Sequence, residues 1–436
     1  MSRANLRPKI FSATTNVLIL LCIMYALTYI DRNNVSTAAF VFKQDLHLTN
    51  TQVGLVFSAF AYPYLIFQIV GGWVSDRFGA RLTLTVSALI WGIATLLTGK
   101  SNGLAGLLCA RLLLGFGEGA TFPTATRAMS DWLPAKKRAF GQGITHSSAR
   151  LGNALTPPLV AWLIAVVTWR GSFIILGIIS IAWAIAWGWY FRDDPASHPA
   201  ITSRELEELP DYAAKEKTVN QSVPWMSLTR RMLPVTAVYF CYAWTLWLYL
   251  AWIPSFFLHS YGLKLQDSAL FSAGVFFGGV IGNTVGGMLS DRILSRTGSH
   301  NKARRNLVIV GFLCSLACML PLLFSHNLTG AAICLSLAFF FSEFTIGPMW
   351  AIPMDIAPRF AGSASGLMNT GTAFAAIISP LVFGFVIDKT GNWELPFIGS
   401  IGLLFAGAIL AFWMKPDEAM AGAELLDSVS PERTAV

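Results

Sequence analysis

Charge is scarce in this chain. Asp, Glu, Lys and Arg supply 12% of its 436 residues, hydrophobic types supply 54%, and mean hydropathy is +0.57. A chain this long and this apolar is not built around one soluble core. Cysteine offers no framework either. Cys22, Cys109, Cys241, Cys314, Cys318 and Cys334 all lie inside apolar stretches as small hydrophobes, and their spacing suits neither a disulfide set nor a zinc site. Hydrolase motifs, metal-ligand clusters and Gly-rich nucleotide loops are also missing, which leaves an intramembrane enzyme without support.

What the chain does have is hydrophobic runs of roughly 18 to 25 residues, each long enough to cross about 30 Å of hydrocarbon as a helix. Twelve spans begin near residues 15, 52, 82, 104, 140, 172, 233, 268, 306, 330, 364 and 394. The first is not a cleavable signal, because it is long, contains Asp31 and Arg32, and lacks a small-residue cleavage site. The net charge of +8 sorts by side rather than marking a nucleic-acid surface. With the N-terminus cytoplasmic, 22 of the 31 Lys and Arg residues fall on inner segments, Arg3, Arg7 and Lys9 first among them. Five fall on outer loops: Lys43, Lys100, Arg170, Lys264 and Lys389. This positive-inside asymmetry predicts cytoplasmic termini, and the expected location is a bacterial inner membrane. Four arginines remain in or at the edges of spans: Arg32, Arg111, Arg127 and Arg150.

Residues 191–231 break the apolar pattern with 13 charged residues in 41. They read as a cytoplasmic linker between an N-terminal set of six spans (1–190) and a C-terminal set (232–415), with a tail at 416–436. Two sets of six suggest an internal repeat. Gly71-Gly72-Trp73-Val74-Ser75-Asp76-Arg77 indeed returns as Gly286-Gly287-Met288-Leu289-Ser290-Asp291-Arg292, each at the inner end of the second span of its half. Paired glycines permit close helix approach, and the Asp can meet a basic residue or a helix N-terminus. Gly72, Asp76, Arg77, Gly79 and Arg81 resemble the G-x-x-x-D-R-x-G-x-R loop of the major facilitator superfamily. The second copy keeps Asp291 and Arg292 but has Leu294 where the first has Gly79. The resemblance implies an all-α polytopic fold of two pseudo-symmetric six-helix bundles, with this loop latching the cytoplasmic side.

An ionisable pair at bilayer depth costs several kcal/mol unless it faces a partner or a wet cavity, so Asp31-Arg32 marks a candidate site. Adjacent residues diverge by about 100° around a helix, so the two should have different partners, with Arg111 open to Asp31 and Arg32 left free. Arg111 and Glu118 are seven apart and share a helix face. Arg150 lies near the middle of the fifth span, one turn after His146. Arg32, Arg111 and Arg150 facing ionised Asp31 and Glu118 carry a net charge of +1, which protonation of both acids raises to +3. Anion affinity should therefore rise as protons bind.

Tyr29-Ile30-Asp31-Arg32, Tyr64, Arg111 to Gly119, Gly347 to Trp350, Pro353 to Asp355 and Gly366 to Asn369 are similar to the anion:cation symporter family. Bacterial hexuronate, galactonate, glucarate, tartrate and phthalate carriers belong to it. The resemblance implies that Asp31 and Glu118 take up protons while Arg32 and Arg111 bind substrate or tune the acids. Arg150 departs from the neutral polar residue expected in sugar-acid carriers and points to a second carboxylate or a more anionic ligand. Tyr29, Tyr64, His146, Arg150, Tyr239, Tyr242, Trp350, Asn369 and Thr370 complete the expected substrate site. Arg127 is expected to snorkel, Glu343 to be a structural partner, and Pro123, Pro157, Pro158 and Pro348 to bend helices, with Pro353 at a helix end. The expected function is import of an organic anion by proton symport through alternating access, by a monomer in lipid, with no cofactor beyond the coupling proton. An exporter or anion exchanger on the same fold is the alternative, and a non-transporting receptor the rival of another class.

Overall fold

The computed structural model describes residues 12–48, 50–210, 223–263, 265–324 and 327–420. Arg3, Arg7, Lys9, Lys264, the middle of the linker and most of the tail lie outside them. The described residues form helices and no strands. The N-terminal bundle comprises α1 (Ala13–Asp45), α2 (Asn50–Ala59 with Ala61–Phe78), α3 (Ala80–Gly99) and α4 (Leu104–Gly119 with Thr121–Trp132). Its last two helices share the run Arg138–Tyr190, which Thr168 (φ 77°, ψ 166°) breaks into α5 (138–167) and α6 (169–190). The C-terminal bundle comprises α7 (Trp225–Tyr261), α8 (Leu265–Thr297), α9 (Asn306–Met319), α10 (Leu328–Glu343 with Ile346–Ile356), α11 (Ala361–Thr390) and α12 (Leu395–Leu410).

Ten stretches among the described residues are long and apolar enough to cross a membrane. Counting Pro158–Tyr190 as α6, those ten leave out α5 and α11, and adding them makes twelve. Large apolar side chains such as Trp189, Leu233, Leu270 and Phe277 lie more than half exposed on the rim, a surface that only lipid solvates without cost. α7 begins at Trp225, seven residues before the boundary at 232, because Leu228 and Met232 are already buried in its first turns. The described part of the linker holds a short helix: a capping box of Thr202 and Glu205 starts Ser203–Glu208, and Glu205 also accepts from the Thr14 N–H.

Proline sets two matching breaks. A proline inside a helix lacks an N–H and clashes with the carbonyl four residues earlier. Pro123 accordingly interrupts α4 at Ala120, and Pro348 interrupts α10 at Phe344 and Thr345. The helix runs unbroken through 157–158, so that predicted bend is absent. The first glycine of each duplicated pair packs on its own bundle's break, with a Cβ at Gly71 falling 2.2 Å from the Ala120 Cβ and one at Gly286 on the Phe344 carbonyl.

The second glycine of each pair closes the molecule. A Cβ at Gly72 would lie 2.3 Å from the Gly362 carbonyl oxygen, and one at Gly287 would lie 2.4 Å from that of Ala139, both across the bundle boundary. Asp76 accepts from the N–H groups of Gly362 (3.0 Å) and Ser363 (2.7 Å) at the start of α11. Asp291 accepts from Ala139 (3.3 Å) and Phe140 (2.7 Å) at the start of α5. Each aspartate thus caps the fifth helix of the opposite bundle, where orphan N–H groups and the helix dipole favour a carboxylate. Arg304 binds both Asp291 and Asp355, and Arg138 reaches Asp355 from the other bundle. Arg127 does not snorkel: it is buried, pairs with Asp131, lies 3.8 Å from Asp76 and donates to the Arg359 carbonyl across the boundary. All these contacts lie at the end of the molecule where α1 begins and α12 ends.

Other residues of the motif act within one bundle. Gly79 (φ 84°) ends α2 in a left-handed turn, and the Asp193 carboxylate fills the space a Cβ would take there. Asp193 caps α3 through the Arg81 N–H at 2.9 Å, while the Arg81 Nε donates to the Gly188 carbonyl. Burial raises the Asp193 carboxyl above the usual carboxylate range. Arg77 is exposed over the rings of Trp73 and Phe78, and Arg292 is exposed.

Candidate anion-binding cavity

A cavity of about 920 Å³ lies between the bundles, walled by α1, α2, α4, α5, α7, α8, α10 and α11. Its lining runs from His146 and Trp350 at the floor to Ser36, Phe57, Leu250 and Ser272 nearer the far end. The caps of Asp76 and Asp291 close the opposite end. The walls are mostly apolar and aromatic, so the few polar groups among them dominate what can bind.

Two guanidiniums reach the cavity, Arg32 and Arg150. Their carbon centres lie 5.0 and 5.7 Å from the same Tyr29 ring. Arg32 is further enclosed by the rings of Phe60, Tyr64 and Phe122 at 4.9, 4.8 and 5.7 Å. Such faces attract a cation and offset part of the cost of burying it.

Behind each arginine sits a carboxylate. The Arg32 Nε and Nη2 both donate to Glu118 Oε2, at 3.0 and 2.8 Å. Glu118 Oε1 is buried and has no hydrogen-bond partner among the described residues. The expectation of a free Arg32 therefore fails. So does a pairing of Asp31 with Arg111. Asp31 turns to α6 and accepts from the Ser180 hydroxyl, while the Arg111 Nε donates to the Val56 carbonyl at 3.3 Å, under the Phe60 ring. The divergence of adjacent helical residues holds, but α6 rather than α4 is the neighbour on the Asp31 side. Neither Asp31 nor Arg111 lines the cavity.

Arg150 is held by Glu343 from the other bundle, Nη2 to Oε1 at 3.1 Å and Nε to Oε2 at 3.2 Å. Tyr242 donates to Oε1 at 2.6 Å and Asn283 to Oε2 at 2.8 Å, so both oxygens of Glu343 are doubly occupied. With this third carboxylate the formal balance of the three arginines is zero, not +1. Glu343 was legible in one respect. It precedes Pro348 by five residues as Glu118 precedes Pro123, which makes the two acids counterparts at the breaks of α10 and α4.

His146 lies on the floor with its Nδ1–H donating to the Gln142 carbonyl, packed among Tyr25, Phe122 and Trp350. Tyr239 and Tyr242 stack at 5.4 Å, and Tyr239 accepts from the Trp350 Nε1 at 2.8 Å. Asn369 lines the cavity and donates to Gln68. Thr370 does not line it: its hydroxyl turns back to the Leu367 carbonyl, and Thr372, two positions on, faces the cavity instead. The pair Asn33 and Asn153, joined at 2.6 Å, adds polar lining that no motif in the sequence marks.

Twelve helices in two pseudo-symmetric bundles around a central cavity, ten of them apolar and long enough to cross a membrane, define a polytopic membrane protein. The chain belongs to the Major Facilitator Superfamily, whose family model matches residues 21–380 and 304–429. A curated relative, the probable sulfoacetate transporter SauU of Cupriavidus necator, is 46% identical over 401 residues, 92% of this chain and 93% of the relative. The hexuronate transporter of Bacillus subtilis is 30% identical over 406 residues, 92% and 94% of the two chains. Among solved structures, FucP in its outward conformation matches the fold with a TM-score of 0.69 at 16% identity, covering 92% of this chain and 99% of that one. The family and these relatives are transporters, not enzymes.

Proposed function

We propose that this protein imports a small organic anion by proton symport, with the cavity as the substrate site. The observation that carries this reading is the pair Arg32 and Arg150, two fixed cations on a mostly apolar and aromatic wall, each backed by a buried carboxylate. Arginine suits the task because its planar fork grips carboxylates and sulfonates and keeps its proton. Glu118 is the coupling acid: one oxygen lacks a partner, so it can accept a proton and release Arg32 to the substrate. Asp31, next to Arg32 on α1 and buried against Ser180 of α6, is the second proton site. The aromatic and amide groups of Tyr239, Trp350 and Asn369 contact the body of the ligand.

In this reading the closed end, where α1 begins and α12 ends, faces the cytoplasm, so the described state opens outward. Exchange of the Asp76 and Asp291 caps for an opening at that end, with the bundles rocking as units, completes alternating access in a monomer. The 46% identity to a probable sulfoacetate transporter makes sulfoacetate the first ligand to test. Purified protein in liposomes should accumulate labelled sulfoacetate against its gradient when the outside is acidic, and a protonophore should abolish this. Accumulation of organic anions that ignores the proton gradient would sink the symport reading, and exchange-only kinetics would replace it with an antiporter.

A further inference from the structure

We propose that Glu343 is a built-in competitor for the substrate: it occupies Arg150 in place of an anionic group, so that only an anion with two charged heads engages both arginines. This rests on the cavity being the substrate site. Four observations carry it. First, the Glu343 carboxylate takes two donors of the Arg150 fork, the grip an incoming carboxylate or sulfonate would need. Second, among the described residues Arg150 Nη1 faces the Tyr29 hydroxyl alone, at 3.5 Å, and the guanidinium lines the cavity. Third, displacement leaves Glu343 with a neutral donor on each oxygen, Tyr242 on one and Asn283 on the other, which offsets part of the cost of losing its cation. Fourth, Arg150 and Arg32 both lie against one tyrosine ring, 5.7 and 5.0 Å from its centre, so an anion that engages both lies beside Tyr29.

The consequence is a specificity rule. A one-headed anion can engage Arg32 alone and leaves the Arg150–Glu343 pair intact. A two-headed anion replaces Glu343 on Arg150 and in the same step breaks an ion pair joining α5 to α10, that is, one bundle to the other. Glu343 thus acts as a specificity-determining and positioning residue, and it ties the second head of the substrate to release of the bundles.

The test compares sulfoacetate (two heads) with acetate and methanesulfonate (one head each) by calorimetry on purified, monodisperse protein. Native protein should prefer sulfoacetate. Glu343→Gln removes the competitor and should tighten sulfoacetate roughly tenfold while also admitting the one-headed anions at Arg150. Arg150→Gln should bring the three affinities to within about threefold of one another. Glu343→Asp, one methylene shorter, loosens the grip on Arg150 without changing charge and should tighten sulfoacetate by a smaller factor, which covers the case of a Glu343→Gln variant that does not fold. If Glu343→Gln or Glu343→Asp weakens sulfoacetate as Arg150→Gln does, Glu343 merely holds Arg150 in place and the competitor idea is overturned. If native protein binds none of the three nor any other organic acid, the cavity reading itself fails, and this inference with it.

Discussion

The two arginines of the cavity are partnered in opposite ways. Arg32 on α1 meets Glu118 on α4, inside one bundle, and both donors fall on one oxygen while the other oxygen has no partner among the described residues. Arg150 on α5 meets Glu343 on α10, across the bundles, and every oxygen of that acid is doubly held. A half-satisfied acid within a rigid unit can exchange a proton without moving that unit. A fully satisfied pair spanning two units opens only when the units or the ligand change. In the proposed mechanism the first pair binds the proton and the second links the substrate to bundle movement.

The strongest way to break it is at Glu118. Glu118→Gln should lower proton-driven accumulation in liposomes at least about 100-fold while preserving counterflow of substrate already bound, because only the transition between proton states is lost. Equal losses in both assays would place coupling elsewhere. Next is the price of an unpaired acid across the bundles. Arg150→Ala leaves Glu343 buried without its cation and should cost about 3–5 kcal/mol, whereas the double variant with Glu343→Gln should recover most of it in detergent melting curves. Failure of the double variant to recover would show that the two residues do not act as a pair.

A third test moves from the cavity to its closed end. Gly72→Val cannot keep the contact with Gly362, and Asp76→Ala removes the cap of α11, so spin labels placed across that end should report longer distances in either variant. Unchanged distances would mean that the Asp291 side holds the closure alone. The smallest effect concerns Asp193, whose contacts stay within one bundle. Asp193→Ala should cost about 1 kcal/mol as a lost cap. Asp193→Asn keeps an acceptor and removes a charge that burial disfavours. Because the folded carboxyl binds its proton more tightly than the unfolded one, native protein is stabilised at low pH. That advantage disappears as pH rises through the raised range, so the Asn variant should become relatively more stable across it. A pH-independent difference would show that the charge at this site does not matter.

Some of this was legible in the chain, and the reasons differ residue by residue. Span lengths, the duplicated Gly-Gly-x-x-Ser-Asp-Arg and the divergence of Asp31 from Arg32 follow from helix geometry and membrane thickness, which act locally. The cross-capping of α11 by Asp76 and of α5 by Asp291 was half visible: the motif predicts an aspartate seeking an N-terminus, but not whose. Arg127 was misread because a charge at a span edge looks the same whether it turns to lipid headgroups or to Asp76 and Arg359. Glu343 was underrated because its partner lies 193 residues away on another bundle.

The sequence by itself determined the twelve-helix membrane fold and its duplication, and it grouped Asp31, Arg32, Arg111, Glu118 and Arg150 without separating those that reach the cavity from those that do not. Periodicity, length and the cost of burying charge require no knowledge of neighbours. Only the tertiary structure decided the pairing: Arg32 with Glu118, Arg150 with Glu343, Asp31 with Ser180, and Arg111 behind Phe60. Helix geometry fixes the direction in which a side chain leaves its helix, but what stands in that direction is set by how twelve helices pack.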